Sequence, residues 1–251
     1  FEGKELEVVF HLAANPSVQY SIQHPTESHA INATGTLNLL NYCKNYKVKR
    51  FVLSSSCSVY GNRQELPLKE TVEPDPLSPY ALQKLVSEQY CTLFYKLYGI
   101  ETINLRYFNV YGPRQNPAGD YASLIPKFIT LVLQQKQPTI FGDGTQTRDF
   151  VYVKDIVRAN ILAAQTTNKE CYGNIINIGS GKNMSVNETT KLIIACGEQQ
   201  LEPIHAPPVI EPKDSLSDIT KAKELLNWEP QKPFAEGLQE TYNYFTTKKH
   251  L

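Results

Sequence analysis

Short apolar runs alternate with amphipathic stretches along the first 115 residues. Val8–Ala14, Arg50–Ser56 and Glu101–Val110 are apolar at successive positions and end in small or polar residues. Strands buried on both faces show this pattern, so the three segments predict parallel strands. Between them, Thr26–Asn45 carries Ile31, Leu37, Leu39, Leu40 and Tyr42. Pro79–Leu97 carries Leu82, Leu85, Val86, Tyr90, Leu93, Phe94 and Leu97 at three-and-four spacing, which predicts an amphipathic helix. Ser78 suits an N-cap, Pro79 the first helical turn and Gly99 a helix stop. Strand–helix–strand–helix–strand in this order predicts an α/β fold with a doubly wound parallel sheet.

Beyond residue 115 the pattern is mixed. Helices are predicted over Leu124–Gln135, Lys154–Gln165, Ile219–Asn227 and Phe234–Thr246, with a strand over Asn174–Gly179 and a Ser185-capped helix to Cys196. A stretch with Pro203, Pro207, Pro208 and Pro212 reads as a loop. The predicted division is a sheet domain over about 1–115 and 149–180, with a smaller mixed α/β substrate-binding lobe over about 116–148 and 181–251. The chain enters its first buried-strand pattern a few residues after Phe1, without an initiator methionine, so the sheet is expected to be N-terminally incomplete.

Composition narrows the function. Twenty-five basic and 25 acidic residues give a formal net charge of zero, which disfavours a nucleic-acid partner. No apolar run reaches the ~18 residues of a membrane span. Cys43, Cys57, Cys91, Cys171 and Cys196 are scattered, without paired metal-ligand spacing, and predict reduced thiols in a cytoplasmic protein with no metal site.

Tyr80-Ala-Leu-Gln-Lys84 places a phenol and an ammonium one helical turn apart on one face. An ammonium there would lower the phenol pKa from ~10 toward neutrality and make it a proton acceptor for a hydroxyl. Phe51-Val-Leu-Ser54-Ser-Ser56-Cys-Ser58-Val-Tyr-Gly61 is an apolar strand ending in hydroxyls, at the strand edge where open α/β sheets bind ligands. Asn109 closes the next strand, where its amide could meet a phosphate or ribose oxygen. Arg148 follows a Gly-Asp-Gly turn and offers a planar fork to a diphosphate.

In order along the chain, His11-Leu-Ala-Ala14, Asn32-Ala-Thr-Gly35, Ser54–Gly61, Tyr80–Lys84, Arg106-Tyr-Phe-Asn-Val-Tyr-Gly112 and Gly142–Phe150 resemble the extended short-chain dehydrogenase/reductase family, in its UDP-glucose and UDP-N-acetylglucosamine 4-epimerase branch. The resemblance implies a Rossmann-type sheet, NAD as cofactor, a UDP-sugar substrate and a homodimer formed by Thr26–Asn45 and Pro79–Leu97. It implies a cofactor site of His11, Leu12, Ala13, Ala14, Asn32, Ser54, Tyr80, Lys84 and Tyr107. Tyr80 would be the base, Ser56 would bond the sugar oxygen and Lys84 would hold the nicotinamide ribose. Ser17, Ser56, Ser58, Asn109, Arg148, Lys213 and Ser215 would face the substrate, with Arg148 on the diphosphate. Ser215 would lie beside the sugar C2 substituent, where a small residue leaves room for an N-acetyl group.

The implied activity is reversible epimerisation at C4 of a UDP-hexose, UDP-N-acetylglucosamine/UDP-N-acetylgalactosamine and then the unacetylated pair, through a 4-keto intermediate. The alternatives are a nucleotide-sugar 4,6-dehydratase or decarboxylase on the same scaffold, and a non-catalytic relative. In the dehydratases, acidic residues follow the active-site hydroxyl; here Cys57 and Ser58 stand there. Two features depart from the family. Its opening glycine-rich turn is missing, which at ~30 residues per βαβ unit implies roughly 60 upstream residues. Near Val209–Asp214 Lys213 is the cation where the family carries an arginine.

Overall fold

Strand β1 (Val8–His11) is followed by α1 (Val18–Gln23), α2 (Pro25–His29), a π-helical turn over Ala30–Thr34 and α3 (Gly35–Asn45). β2 (Arg50–Ser56) runs into a 3₁₀ turn over Cys57–Tyr60, and α4 (Pro79–Tyr98) leads to β3 (Glu101–Tyr107) and β4 (Asn109–Tyr111). Then come α5 (Leu124–Leu133), β5 (Thr139–Phe141), β6 (Thr147–Arg148), β7 (Phe150–Tyr152), α6 (Val153–Gln165) and β8 (Asn174–Ile178). β9 (Met184–Ser185), α7 (Val186–Cys196), β10 (Ile204–Ala206), α8 (Thr220–Leu226) and α9 (Phe234–Thr247) complete the order. This computed structural model describes residues 5–117, 123–209 and 212–247.

The expected parallel sheet is present, in the order β1-β2-β3-β8. α3 and α4 cover one face through Leu40, Cys43, Phe51, Leu53, Cys91 and Phe94. α6 and α8 cover the other through Val52, Leu105, Ile156, Ala159, Ile176 and Trp228. Residues 220–228, grouped by sequence with the covering lobe, thus pack into the sheet core. A separate cluster joins α5, α7 and α9 around Phe128, Ile129, Ile193, Leu238 and Phe245.

Local signals act as read. The Ser78 hydroxyl accepts from Ala81 N, and Gly99 ends α4 at φ 71°. Ser185 and Glu188 form a reciprocal capping box. Three expected elements differ. The first strand stops at His11, leaving Leu12 and Ala13 exposed. The Thr26–Asn45 helix contains the π-turn. The strand expected over Glu101–Val110 breaks at Phe108, because the chain changes partners: Phe108 N bonds Ile178 O, and Asn109 N then bonds Asp149 O. Strand β4 so leaves the sheet and pairs with β7. Within the proline-rich stretch, β10 pairs in parallel with β5, an edge position that tolerates the flanking Pro203 and Pro207.

No helix among the described residues is long and apolar enough to cross a membrane. The five cysteines are free, and no cluster among the described residues could hold a metal ion.

The sheet and α4 are pinned by a buried ion pair. Arg106 on β3 donates to Glu88 from Nε (2.8 Å) and Nη2 (2.7 Å), and Ser55 donates to Glu88 at 2.5 Å. Removing one partner leaves the other charged and uncompensated, whereas replacing both by apolar residues is close to neutral. Glu88→Gln is expected to lower unfolding stability by about 3–5 kcal/mol in urea titration. The paired Glu88→Met/Arg106→Met variant should recover much of that loss, and an equal or larger loss in the pair would refute the assignment.

Candidate active site

Parallel strands bring their carboxyl ends to one edge, and the predicted hydroxyls lie there. Ser56 ends β2, in register with Tyr107 of β3. Its hydroxyl accepts from Ser58 N at 3.2 Å and stands close enough to the Tyr80 phenol to lower its pKa. Tyr80 and Lys84 project from the face of α4 that packs on this edge, and both are buried. Lys84 Nζ donates to the Ser54 carbonyl at 2.8 Å and stands 6.0 Å from the Tyr80 ring centroid.

The electrostatics differ from the expectation drawn from spacing. Burial pushes the Tyr80 phenol up to about 12, with the Ser56 hydroxyl pulling it back only in part. Burial brings Lys84 down to about 8, opposed by the Glu88 carboxylate. Desolvation is the largest influence on both groups, and the phenol is protonated at neutral pH.

Other predicted residues fall into two groups. Asn32, Ser54 and Tyr107 are at the expected edge but spend their polar atoms inside the protein. Asn32 accepts from Asn15 N (2.8 Å) and donates to Asn15 O (3.1 Å) and Gln83 Oε1 (2.8 Å). Ser54 donates to the Tyr107 hydroxyl, which donates to Asn160. His11 is buried against Thr36 and held to about 4, mainly by burial and then by Lys84. These four shape the edge. The exposed Leu12 and Ala13, the half-buried Ala14 and the two unspent Lys84 N–H groups are what it offers a ligand. That donor and apolar set fits a dinucleotide lying across the strand ends.

The substrate-side residues lie next to this edge. A cavity of about 500 Å³ is lined by Ser17, Asn109, Phe128, Phe141, Arg148 and Val209, among others. A second, of about 640 Å³, shares Phe141, Gln146 and Val209 with the first and reaches His205 and Lys213. Ser17 caps α1 through Tyr20 N. Arg148 Nη1 donates to the Thr147 and Lys213 carbonyls, so its guanidinium is braced beside Lys213. Positions 210 and 211 of the loop with the family departure lie outside the described residues. Ser58 Oγ is buried without a hydrogen-bond partner among the described residues, an orphan that a ligand hydroxyl would satisfy. Ser215 is buried and does not cap α8, whose N-cap is Ile219.

Sequence reading did not pick out Asp149, Gln83 or Glu88. Glu88 could have been found, since it repeats the Tyr80–Lys84 interval once more on the same helix face.

The family model for the NAD dependent epimerase/dehydratase family matches residues 1–179. A putative UDP-glucose 4-epimerase of Methanocaldococcus jannaschii is 42% identical over 243 residues, spanning 96% of this chain and 77% of its own length. The UDP-glucuronate 4-epimerase of Thermodesulfobacterium geofontis is 40% identical over 250 residues, spanning 97% and 74%. The solved UDP-N-acetylglucosamine 4-epimerase of Methanobrevibacter ruminantium, in complex with UDP-N-acetylmuramic acid, matches with a TM-score of 0.92 at 39% identity, spanning 96% of this chain and 77% of that one.

The depressed Lys84 pKa has a stability consequence. Between about pH 8 and 10.5 the unfolded chain holds the lysine proton and the folded chain releases it, so stability rises with pH across that window. Relative to Lys84→Met, wild type should gain on the order of 3 kcal/mol between pH 8 and 10.5 and nothing between pH 6 and 7.5. Parallel denaturation curves for the two proteins over the whole range would show that Lys84 is not desolvated.

Proposed function

The chain belongs to the NAD dependent epimerase/dehydratase family, and from that premise we propose that it is an NAD-dependent epimerase acting at C4 of UDP-hexoses. One observation carries this reading: Tyr80 and Lys84 share a buried helix face at the end of β2, where Lys84 bonds the Ser54 carbonyl two residues before Ser56, next to a cavity holding Asn109 and Arg148. NAD, when bound, supplies the hydride acceptor and a positive charge that favours the phenolate. Tyr80 takes the proton of the sugar 4-hydroxyl, Ser56 holds that oxygen, and Lys84 keeps a cation beside the pair. Inversion at C4 would follow if the 4-keto sugar presented its other face to the cofactor before the reverse transfer, with Tyr80 returning the proton to the C4 oxygen. Arg148, with Lys213 beside it, holds the diphosphate, and Ser17 and Ser58 complete the sugar pocket.

Relatives of this chain include UDP-glucose, UDP-N-acetylglucosamine and UDP-glucuronate 4-epimerases. The small Ser215 favours N-acetylated hexoses first and the plain pair second. Dehydration is disfavoured, because Cys57 and Ser58, not carboxylates, follow Ser56. Residues 1–115 and 149–180 serve the cofactor, and most of 116–148 and 181–251 cover the sugar. The free cysteines suit a reducing cytoplasm.

We also propose a homodimer through α3 and α4. Leu82, Leu93 and Leu97 are exposed on one side of α4, as are Tyr42 and Tyr46 at the end of α3. A run of exposed apolar side chains on adjacent helices marks an association surface. Sedimentation velocity at micromolar concentration should give a dimer for wild type and a monomer for Leu93→Glu/Leu97→Glu; a monomeric wild type would rule the surface out.

The activity is tested with NAD-loaded protein and UDP-N-acetylglucosamine. Tyr80→Phe should lower turnover by about 10²-fold or more, the size expected for a positioned proton acceptor, with sugar-nucleotide affinity little changed. Near-normal epimerisation by that variant, or none by wild type, would overturn the assignment.

A further inference from the structure

The geometry points to Asp149 as a positioning residue that fixes how the hexose end of the site is read, an inference that rests on the UDP-sugar function proposed above. Asp149 follows Arg148 and is fully buried. One carboxylate oxygen accepts from Ser180 N and Ser180 Oγ, both at 2.6 Å. The other accepts from Ser217 Oγ (2.5 Å), Ser217 N (2.9 Å) and Gly181 N (3.2 Å). Five donors meet the cost of burying the charge. Gly179 makes the space, since a Cβ there would lie 2.9 Å from the carboxylate and would strike Ser217 Oγ.

The backbone of the same residue holds the site. Asp149 O accepts from Asn109 N (3.0 Å) and Asn109 Nδ2 (3.2 Å), and Asp149 N donates to Ser215 Oγ (3.2 Å). The second Asn109 Nδ2 hydrogen goes to Ser215 Oγ, also at 3.2 Å. A carbonyl acceptor decides which amide atom is nitrogen, so both Asn109 donors are spent and its Oδ1 is left for a ligand. Ser215 has accepted twice and retains one proton. This corner therefore presents an acceptor and a hydroxyl proton. It suits a sugar hydroxyl, which can donate to the Asn109 oxygen and accept the Ser215 proton. Arg148 is braced through Thr147 O, which also accepts from Ser215 N at 3.2 Å, and through Lys213 O, two bonds not made to Asp149. The clamp governs the hexose corner and leaves the diphosphate to Arg148.

The experiment is calorimetric titration of the full chain with UDP and with UDP-N-acetylglucosamine. Asp149→Asn turns one acceptor into a donor facing donors, and Ser217→Ala removes a hydroxyl that donates to Asp149 and accepts from Gly181 N at 3.2 Å. Misplacing Asn109 and Ser215 predicts that Asp149→Asn weakens UDP-N-acetylglucosamine by about tenfold, and Ser217→Ala by about threefold. UDP affinity should stay within about twofold in both. If Asp149→Asn does not fold, Ser217→Ala carries the test. Equal losses for both ligands, or a lowered Tm with both affinities intact, would make Asp149 purely structural and overturn the proposal. Wild type that binds UDP without gaining or losing affinity from any appended hexose would leave no hexose corner to position and refute it too. Wild type that binds neither ligand refutes the functional reading itself.

Discussion

One face of α4 carries a phenol, an ammonium and a carboxylate into an interior that tolerates none of them unpaired. Tyr80, Lys84 and Glu88 follow at four-residue intervals, and each is nearly excluded from solvent. The ends of β2 and β3 are shaped by what those groups require. Ser56 answers the phenol, the Ser54 carbonyl answers the ammonium, and Ser55 with Arg106 answers the carboxylate. Three successive serines on one strand are thus partners to three successive turns of one helix. A serine-rich strand end would otherwise be a poor use of buried β-structure.

The same requirement explains why the sheet does not continue through Phe108. A straight β3 would carry Asn109 along the sheet, away from β7. Exchanging Ile178 for Asp149 as hydrogen-bond partner at that point swings Asn109 to the cavity. Tyr60 and Phe108 pack at the bend, with ring centroids 6.4 Å apart, and Arg106 stacks on Tyr60 at 4.6 Å. Apolar packing and the ion pair fix the bend from one side, and the Asp149 backbone fixes it from the other. The strand-end edge and the cavity share a boundary of two residues, 108 and 109.

The sheet, α4 and the helix caps were legible in the sequence because each depends on local signals: apolar runs, three-and-four spacing, and Ser78, Gly99 and Ser185 at helix ends. The residues gathered at the strand edge were legible because strand ends collect ligands whatever the side chains. What escaped was partner choice. Nothing in the sequence near Asn32 says that Asn15 and Gln83 will consume its amide, or that Tyr107 will spend its hydroxyl on Asn160. The Tyr80 pKa was misjudged for a related reason. Spacing gives the distance to a charge, but desolvation depends on everything else packed around the phenol, and burial is the largest influence on it.

Residue roles in such a site divide by which atoms remain unspent. Lys84 has used one N–H of three, and Ser58 Oγ has no partner among the described residues. Asn109 and Ser215 have used all but one capacity each. Asn32, Ser54 and Tyr107 have committed their side-chain polar groups to the protein. Side chains of the first kind can respond to a ligand, and those of the last kind hold the first in place. Because a buried polar network is worth most when every member is satisfied, the committed residues cannot turn toward a ligand without orphaning a neighbour. Recognition at this edge therefore draws on the atoms left over, among them two ammonium protons, the unpaired Ser58 hydroxyl, the Ser215 proton and the Asn109 amide oxygen.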